Sequence, residues 1–217
     1  GKLAELKLAE ETLVIFTSDN GGFAGATKHD PLRANKGSHY EGGIRIPLIV
    51  AGRGVTRGGR TSQVPVITND IYPTVLEMLG LSPRPYQHVD GVSLAPLLQD
   101  SGSIERDALF WHYPHYNRHP QSAPVSIVRK GKWKLIEFLE RAEFELYDLE
   151  NDPGETNDIS NQQPEILTIG QPISQPINEV TIPRVQAGAV GICTLTVPEG
   201  YGCLLYTSDA ADDLLCV

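Results

Sequence analysis

Asp19 and Asn20 stand side by side, after a short apolar run and before Gly21 and Gly22. A carboxylate and an amide oxygen are hard donors of the kind that Ca²⁺ or Mg²⁺ takes, whereas His and Cys would suit zinc. The glycines let the backbone turn sharply and leave room for a ligand to approach. The same residues make a good turn, and turn chemistry alone favours that plainer reading. Further on, Lys36 followed by Gly37 presents an ammonium on an open backbone. It is suited to an anionic oxygen as a compact point charge, although a lone loop lysine is usually just solvated. Glu41 and Arg45, four residues apart, are expected to be structural, pairing with each other or with the backbone. The stretch Phe110-Trp111-His112-Tyr113-Pro114-His115-Tyr116 holds two histidines among four aromatics. It could line a sugar pocket, with rings stacking on the sugar and His112 and His115 bonding hydroxyls, or it could be an aromatic core with partly exposed imidazoles. Their spacing and company do not suit a metal. His29, His39, His88 and His119 read as surface or loop residues.

These residues need elements to position them. Residues 2–11 carry Leu3, Leu6 and Leu8 among Lys and Glu, the pattern of an amphipathic helix. Thr12 to Thr17 is a short apolar run rich in β-branched residues, which fits a strand buried on both faces in a parallel sheet. Helix, buried strand and polar glycine loop form an α/β arrangement, with the loop at the strand's carboxyl end, where such sheets bind ligands. Residues 23–45 make a loop long enough to be either functional or disordered. Ile46 to Ala51 reads as a second core strand and Val64 to Ile67 as a short third one. A helix over Asp70–Leu79 has an Asn/Asp cap, Pro73 in its first turn and Gly80 as its stop. Beyond about Gly102 the segments 108–111, 125–128, 133–136 and 145–147 are short and β-prone. Lys130-Gly131 looks like a hairpin turn and Asn151-Asp152-Pro153-Gly154 like a closing one.

Composition narrows the function classes. The 217 residues carry a formal net charge of −9, which argues against a nucleic-acid partner, since phosphates are met with Lys and Arg clusters. No apolar run is long enough for a membrane-spanning helix. The three cysteines, Cys193, Cys203 and Cys216, show no zinc or redox spacing. The chain opens without Met or a signal-peptide pattern, as the middle of a helix would, so the sequence is expected to be the C-terminal part of a longer protein.

The ordered segments TLVIFTSDNGG, LRANKGSHYEGGIRIPLIVAG, ITNDIYPTVLEMLGL, VDGVSLAPLL, RKGKWKLI and ELYDLENDPGETND resemble the C-terminal half of the sulfatase family, over roughly residues 3–160. The resemblance implies an α/β fold: the C-terminal part of an alkaline-phosphatase-like sandwich (residues 1–102), followed by a small antiparallel β subdomain (103–160). It also implies hydrolysis of a sulfate ester on a carbohydrate or small molecule, through a formylglycine nucleophile and Ca²⁺, with Mg²⁺ or a transition metal as alternatives. Asp19 and Asn20 match the family's second pair of metal ligands, and Lys36 matches the lysine that contacts the sulfate. His112 and His115 become candidate substrate-binding residues. The formylglycine motif, Cys/Ser-x-Pro/Ala-x-Arg, is absent, so the 217 residues are expected to be inactive alone. Related phosphodiester and phosphonate hydrolases often place His where Asn20 stands, so they are the alternative in the same superfamily; a non-catalytic sulfated-glycan-binding relative is the other. A periplasmic or secreted location follows by family habit. Residues 161–202 depart from the family, as a frameshift or chimeric join would, and 203–217 resemble sequencing-adapter read-through of the kind that ends metagenomic fragments.

Overall fold

The computed structural model describes residues 1–56, 58–163 and 166. The cysteines and the segments expected to be chimeric or adapter-derived lie outside them, apart from residues 161–163 and 166. In chain order the elements are α1 (Lys2–Glu5), β1 (Leu13–Thr17), α2 (Glu41–Ile44), β2 (Leu48–Gly52), α3 (Ile71–Met78), α4 (Ala95–Leu98), β3 (Leu109–Tyr113), β4 (Val125–Lys130), β5 (Trp133–Phe138) and β6 (Glu143–Asp148). The fold is mixed α/β, as expected, with antiparallel sheets. Among the described residues no helix is long and apolar enough to cross a membrane.

Two compact units divide the described chain: one holds residues 1–18 and 47–106, the other 19–46 and 107 onward. In the first, β1 and β2 form a two-stranded antiparallel ribbon with Ile15 opposite Val50. This corrects the expectation of a parallel strand buried on both faces. Phe16 and Ile49 are each 60% exposed and Val14 is 43% exposed, so one face of the ribbon is uncovered within the described residues. A continuous apolar run reports that a strand suits burial; it does not report direction or how many faces are covered. The opening helix is also shorter than its leucine pattern predicts. Lys7 takes φ 56°, in the left-handed region, which ends α1 and leaves only a 3₁₀ turn at Ala9–Glu11. Val64–Ile67 forms no strand.

The helix expected over Asp70–Leu79 is α3, and Gly80 leaves it at φ 69°. Its cap residue, Asp70, is fully buried. The Asp70 carboxylate accepts from the backbone N–H groups of Ile67 (2.9 Å) and Val92 (3.0 Å) and pairs with both ends of the Arg106 guanidinium. A buried carboxylate persists only with such a set of donors.

The second unit is built on a four-stranded antiparallel meander in the order β3-β4-β5-β6. The four short β-prone segments become these strands, with Gly131 at φ 57° turning β4 into β5. Alternation splits their side chains between two faces. One face carries Tyr113, Val125, Ile127, Ile136, Phe138 and Tyr147, packed with Tyr40. The other carries Val128, Leu135 and Leu146, packed with Ala108, Phe144 and Ile159. Tyr40 precedes α2, so the first face is where the long polar loop, residues 19–46, docks.

Candidate functional site

Glycines make the loop's own architecture. The Gly21 N–H donates to Gly43 O (2.7 Å), Gly42 N–H to Arg33 O (2.8 Å), and Lys36 N–H to Gly22 O (3.0 Å). Three backbone segments therefore touch directly. A Cβ on Gly21 would lie 1.9 Å from Gly42 O, one on Gly42 2.3 Å from Ala34 O, and one on Gly43 2.1 Å from Ser38 O. Only residues without a side chain permit this approach. The result is that the Asp19-Asn20 turn and the Lys36 turn are bound to each other by main chain, not by mobile side chains.

The docked loop is then anchored by charge. Lys134, with no exposed surface, donates to Glu155 (2.7 Å) and Glu41 (3.1 Å), both carboxylates being buried. Arg129 stands 4.0 Å from Glu41, and the Glu41 N–H donates to the Glu155 carboxylate (2.6 Å). The Glu41 side chain thus faces Lys134 and Arg129, while its carbonyl accepts the ordinary helical bond from Arg45 N–H (2.7 Å). Arg33 lies 3.6 Å from the Tyr40 ring centroid and donates to the Tyr147 hydroxyl (2.9 Å) and to Glu155 O (3.0 Å). Tyr40 and Tyr147 both donate to Glu145, at 2.9 and 2.8 Å. Burial first, then the Glu145 carboxylate, pushes both phenols above the ordinary tyrosine value, so they stay protonated donors.

Above this base is a shallow cleft, partly open to solvent, lined by Asn20, Lys36, His39, Tyr113 and Asn117 with small neighbours. Asn20 is 7% exposed, whereas Asp19 is exposed. Asn117 closes one wall. Its amide donates to Gly37 O (2.7 Å) and to the Tyr113 hydroxyl (2.8 Å), holding Gly37 at φ 89° beside His119. Asn20 and Lys36, singled out from sequence, therefore share one cleft.

His112 and His115 are placed differently. His112 points to the opposite sheet face from Tyr113 and bonds the Ser126 hydroxyl (2.9 Å). The His115 ring lies against Tyr113, with centroids 3.9 Å apart, and its Nδ1 contacts Tyr116 O (3.0 Å). Neither is among the cleft-lining residues. The aromatic-histidine stretch reaches the cleft through Tyr113 instead, and the loop beyond it through Asn117.

His39, expected as a surface or loop residue, lies in the loop but is only 3% exposed. It packs on Tyr40 and edge-on to Phe138, with centroids 4.2 and 5.4 Å away. Burial first, then the positive charges of Lys134 and Arg33, pushes its imidazole down from 6.5 to about 3. The folded value lies below the unfolded one. Its contribution to stability is thus complete above about pH 6.5 and lost as pH falls towards about 3. A His39→Phe variant is expected to lose less stability than the parent across that window, by up to a few kcal/mol. Chemical unfolding at pH 7 and pH 4 measures this, and equal acid losses would refute it.

As metal donors, Asp19 and Asn20 offer two oxygens. No group of three or more His, Cys, Asp or Glu that could hold a metal occurs among the described residues. Calcium takes six to eight oxygens, so this pair has a hard cation's donor chemistry but could supply only part of such a shell.

Comparison with known proteins adds a lineage to this geometry. A family model described as N-sulphoglucosamine sulphohydrolase, C-terminal, matches residues 34–182. A sulfatase of Formosa agariphila is 40% identical over 172 residues, covering 75% of this chain and 31% of that protein. Arylsulfatase K of Mus musculus is 31% identical over 194 residues, covering 85% of this chain and 33% of that protein. The chain thus spans about a third of the length of the curated relatives it matches. A structure solved in complex with its substrate D-glucosamine-2-N,6-O-disulfate superposes with a TM-score of 0.65 at 28% identity, covering 79% of this chain and 35% of that one.

Proposed function

The chain belongs to the sulfatase family, and from that premise we propose that residues 19–46 hold the sulfate group and part of the metal shell of a sulfuric ester hydrolase acting on a sulfated carbohydrate. The observation that carries this reading is the shared cleft of Asn20 and Lys36, fixed by the Gly21–Gly43 and Lys36–Gly22 backbone bonds. The carbohydrate is suggested by the sulfated glucosamine substrate of the structural relative.

In this reading Lys36 places its ammonium on a sulfate oxygen. Its attraction grows as negative charge develops towards the leaving-group side, which is what lowers a barrier rather than merely binding the ground state. Asp19 and Asn20 would hold a calcium ion, whose role is to neutralise sulfate oxygens as a Lewis acid. The small polar wall of Gly37, Ser38 and Asn117 shapes the space beside them. The nucleophile of the family's chemistry is a formylglycine, and no Cys/Ser-x-Pro/Ala-x-Arg motif occurs in the 217 residues. The proposal therefore assigns this chain the holding of the anion, not the covalent step. The domain limits at residues 102 and 160 are part of the same reading.

The test is titration with inorganic sulfate in calcium-containing buffer, followed by calorimetry or NMR. The parent is expected to bind sulfate, and Lys36→Ala to bind it about tenfold or more weakly, the loss of one charge-assisted contact. Equal binding by parent and variant would remove Lys36 from the site.

A further inference from the structure

Five buried side-chain nitrogen or oxygen atoms among the described residues lack a hydrogen-bond partner, and two of them are the ring nitrogens of His39. Glu41 Oε2 and Arg129 Nε belong to side chains of opposite charge that face each other at 4.0 Å, and the remaining atom is Glu137 Oε2. Of the four residues concerned, only His39 lines the cleft. Its ring packs as an aromatic against Tyr40 and Phe138, a task phenylalanine performs without leaving two polar atoms unmatched. Each buried polar atom left without a partner costs stability. The ring also belongs to the wall of the cleft that holds Lys36 and Asn20.

The chemistry of the ring selects what would satisfy it. A neutral imidazole carries one donor and one acceptor. A sulfate oxygen only accepts, so it can meet only the protonated ring nitrogen. A hydroxyl both donates and accepts, and it matches either ring nitrogen in either tautomer. Lys36, a compact cation, is the partner for the anion. The two side chains thus divide one substrate between them.

Resting on the sulfate-holding reading above, we infer that His39 is a substrate-positioning residue, one of whose unpaired ring nitrogens bonds a sugar hydroxyl next to the sulfate held by Lys36. On this account the cleft distinguishes a sulfated sugar from a bare sulfate ion through His39. Asn117, bonded to Tyr113, fixes the Gly37 turn between His39 and Lys36.

The test compares two probes on the full chain in calcium-containing buffer, inorganic sulfate and D-glucosamine-2-N,6-O-disulfate, at matched ionic strength. The parent is expected to bind the sugar about tenfold more tightly than sulfate, and His39→Phe to bring that ratio close to one. A ratio that survives in His39→Phe overturns the inference. Sulfate binding that depends on Lys36, with no preference for the sugar in the parent, also overturns it and leaves the sulfate site standing. Binding of neither probe removes both. The parent alone supplies a second readout: the ring ¹⁵N resonances of His39 are expected to move on adding the sugar and not on adding sulfate. Should His39→Phe fail to fold, that measurement decides, and unmoved resonances overturn the assignment.

Discussion

Replacing Lys134 by alanine is expected to lower the unfolding free energy by about 3–5 kcal/mol at neutral pH. Lys134 is fully buried between the Glu41 and Glu155 carboxylates. Removing the ammonium leaves two like charges in a dry interior with Arg129 alone in reach of Glu41, at 4.0 Å. Burial already pushes the Glu155 carboxyl above its ordinary value, and Lys134 is what opposes that shift. Without Lys134 the folded value rises further above the unfolded one. Stability from the protonated form is then present at acid pH and lost as pH rises through the folded value. The deficit of the variant should therefore shrink on acidification. Denaturant unfolding of parent and Lys134→Ala at pH 7 and pH 4.5 checks both sign and size, and a deficit below about 1 kcal/mol at pH 7 would show the cluster to be dispensable. Adding Glu155→Gln to Lys134→Ala should recover part of the loss, because it removes one of the stranded charges.

Gly21→Ala should be as damaging locally, about 3 kcal/mol or more, with loss of sulfate binding. Its Cβ would stand 1.9 Å from Gly42 O and 2.7 Å from Gly43 Cα. Both are backbone atoms, so no rotamer change relieves the clash, and the Asn20 turn must leave the α2 segment. Gly58→Ala is the matched control, since a Cβ there meets nothing within 4 Å. Thermal unfolding and sulfate titration of the two variants measure the difference. Equal behaviour would show that the 19–22 turn tolerates displacement.

Much of the fold was legible because it follows from local pattern. The strands β3 to β6 are β-branched and aromatic runs separated by turns, and α3 carries its cap, its proline and its terminal glycine in a row. What failed to show was what depends on distant partners. The run Leu13–Thr17 suits a core strand, yet its direction is set by pairing with Leu48–Gly52. Lys134 sits among Trp133, Leu135 and Ile136 in a β-prone segment, and two carboxylates from elsewhere in the chain make it a core residue. The site divides the same way. The glycines announce close backbone approach, but by residue type alone Asn20 reads as part of a turn and Lys36 as a solvated lysine; the resemblance to the sulfatase family is what singles them out. His39, in a Lys-Gly-Ser-His stretch, looks solvated, and only the packing of Phe138 and Tyr40 on its ring reveals otherwise. Asn117 carried no signal, since its function is to grip a main-chain carbonyl.

The Lys134 cluster also sets when the cleft can exist. The meander forms from neighbours along the chain, contacts that close quickly. The loop of residues 19–46 is made earlier during synthesis, but its anchors, Lys134 and Glu155, lie 93 and 114 residues beyond Glu41. Until Lys134 has left the ribosome Glu41 has no buried cation to pair with, and until Glu155 follows, the Glu41 N–H has no acceptor. On the proposed reading, anion binding is therefore acquired only after residue 155 has been made.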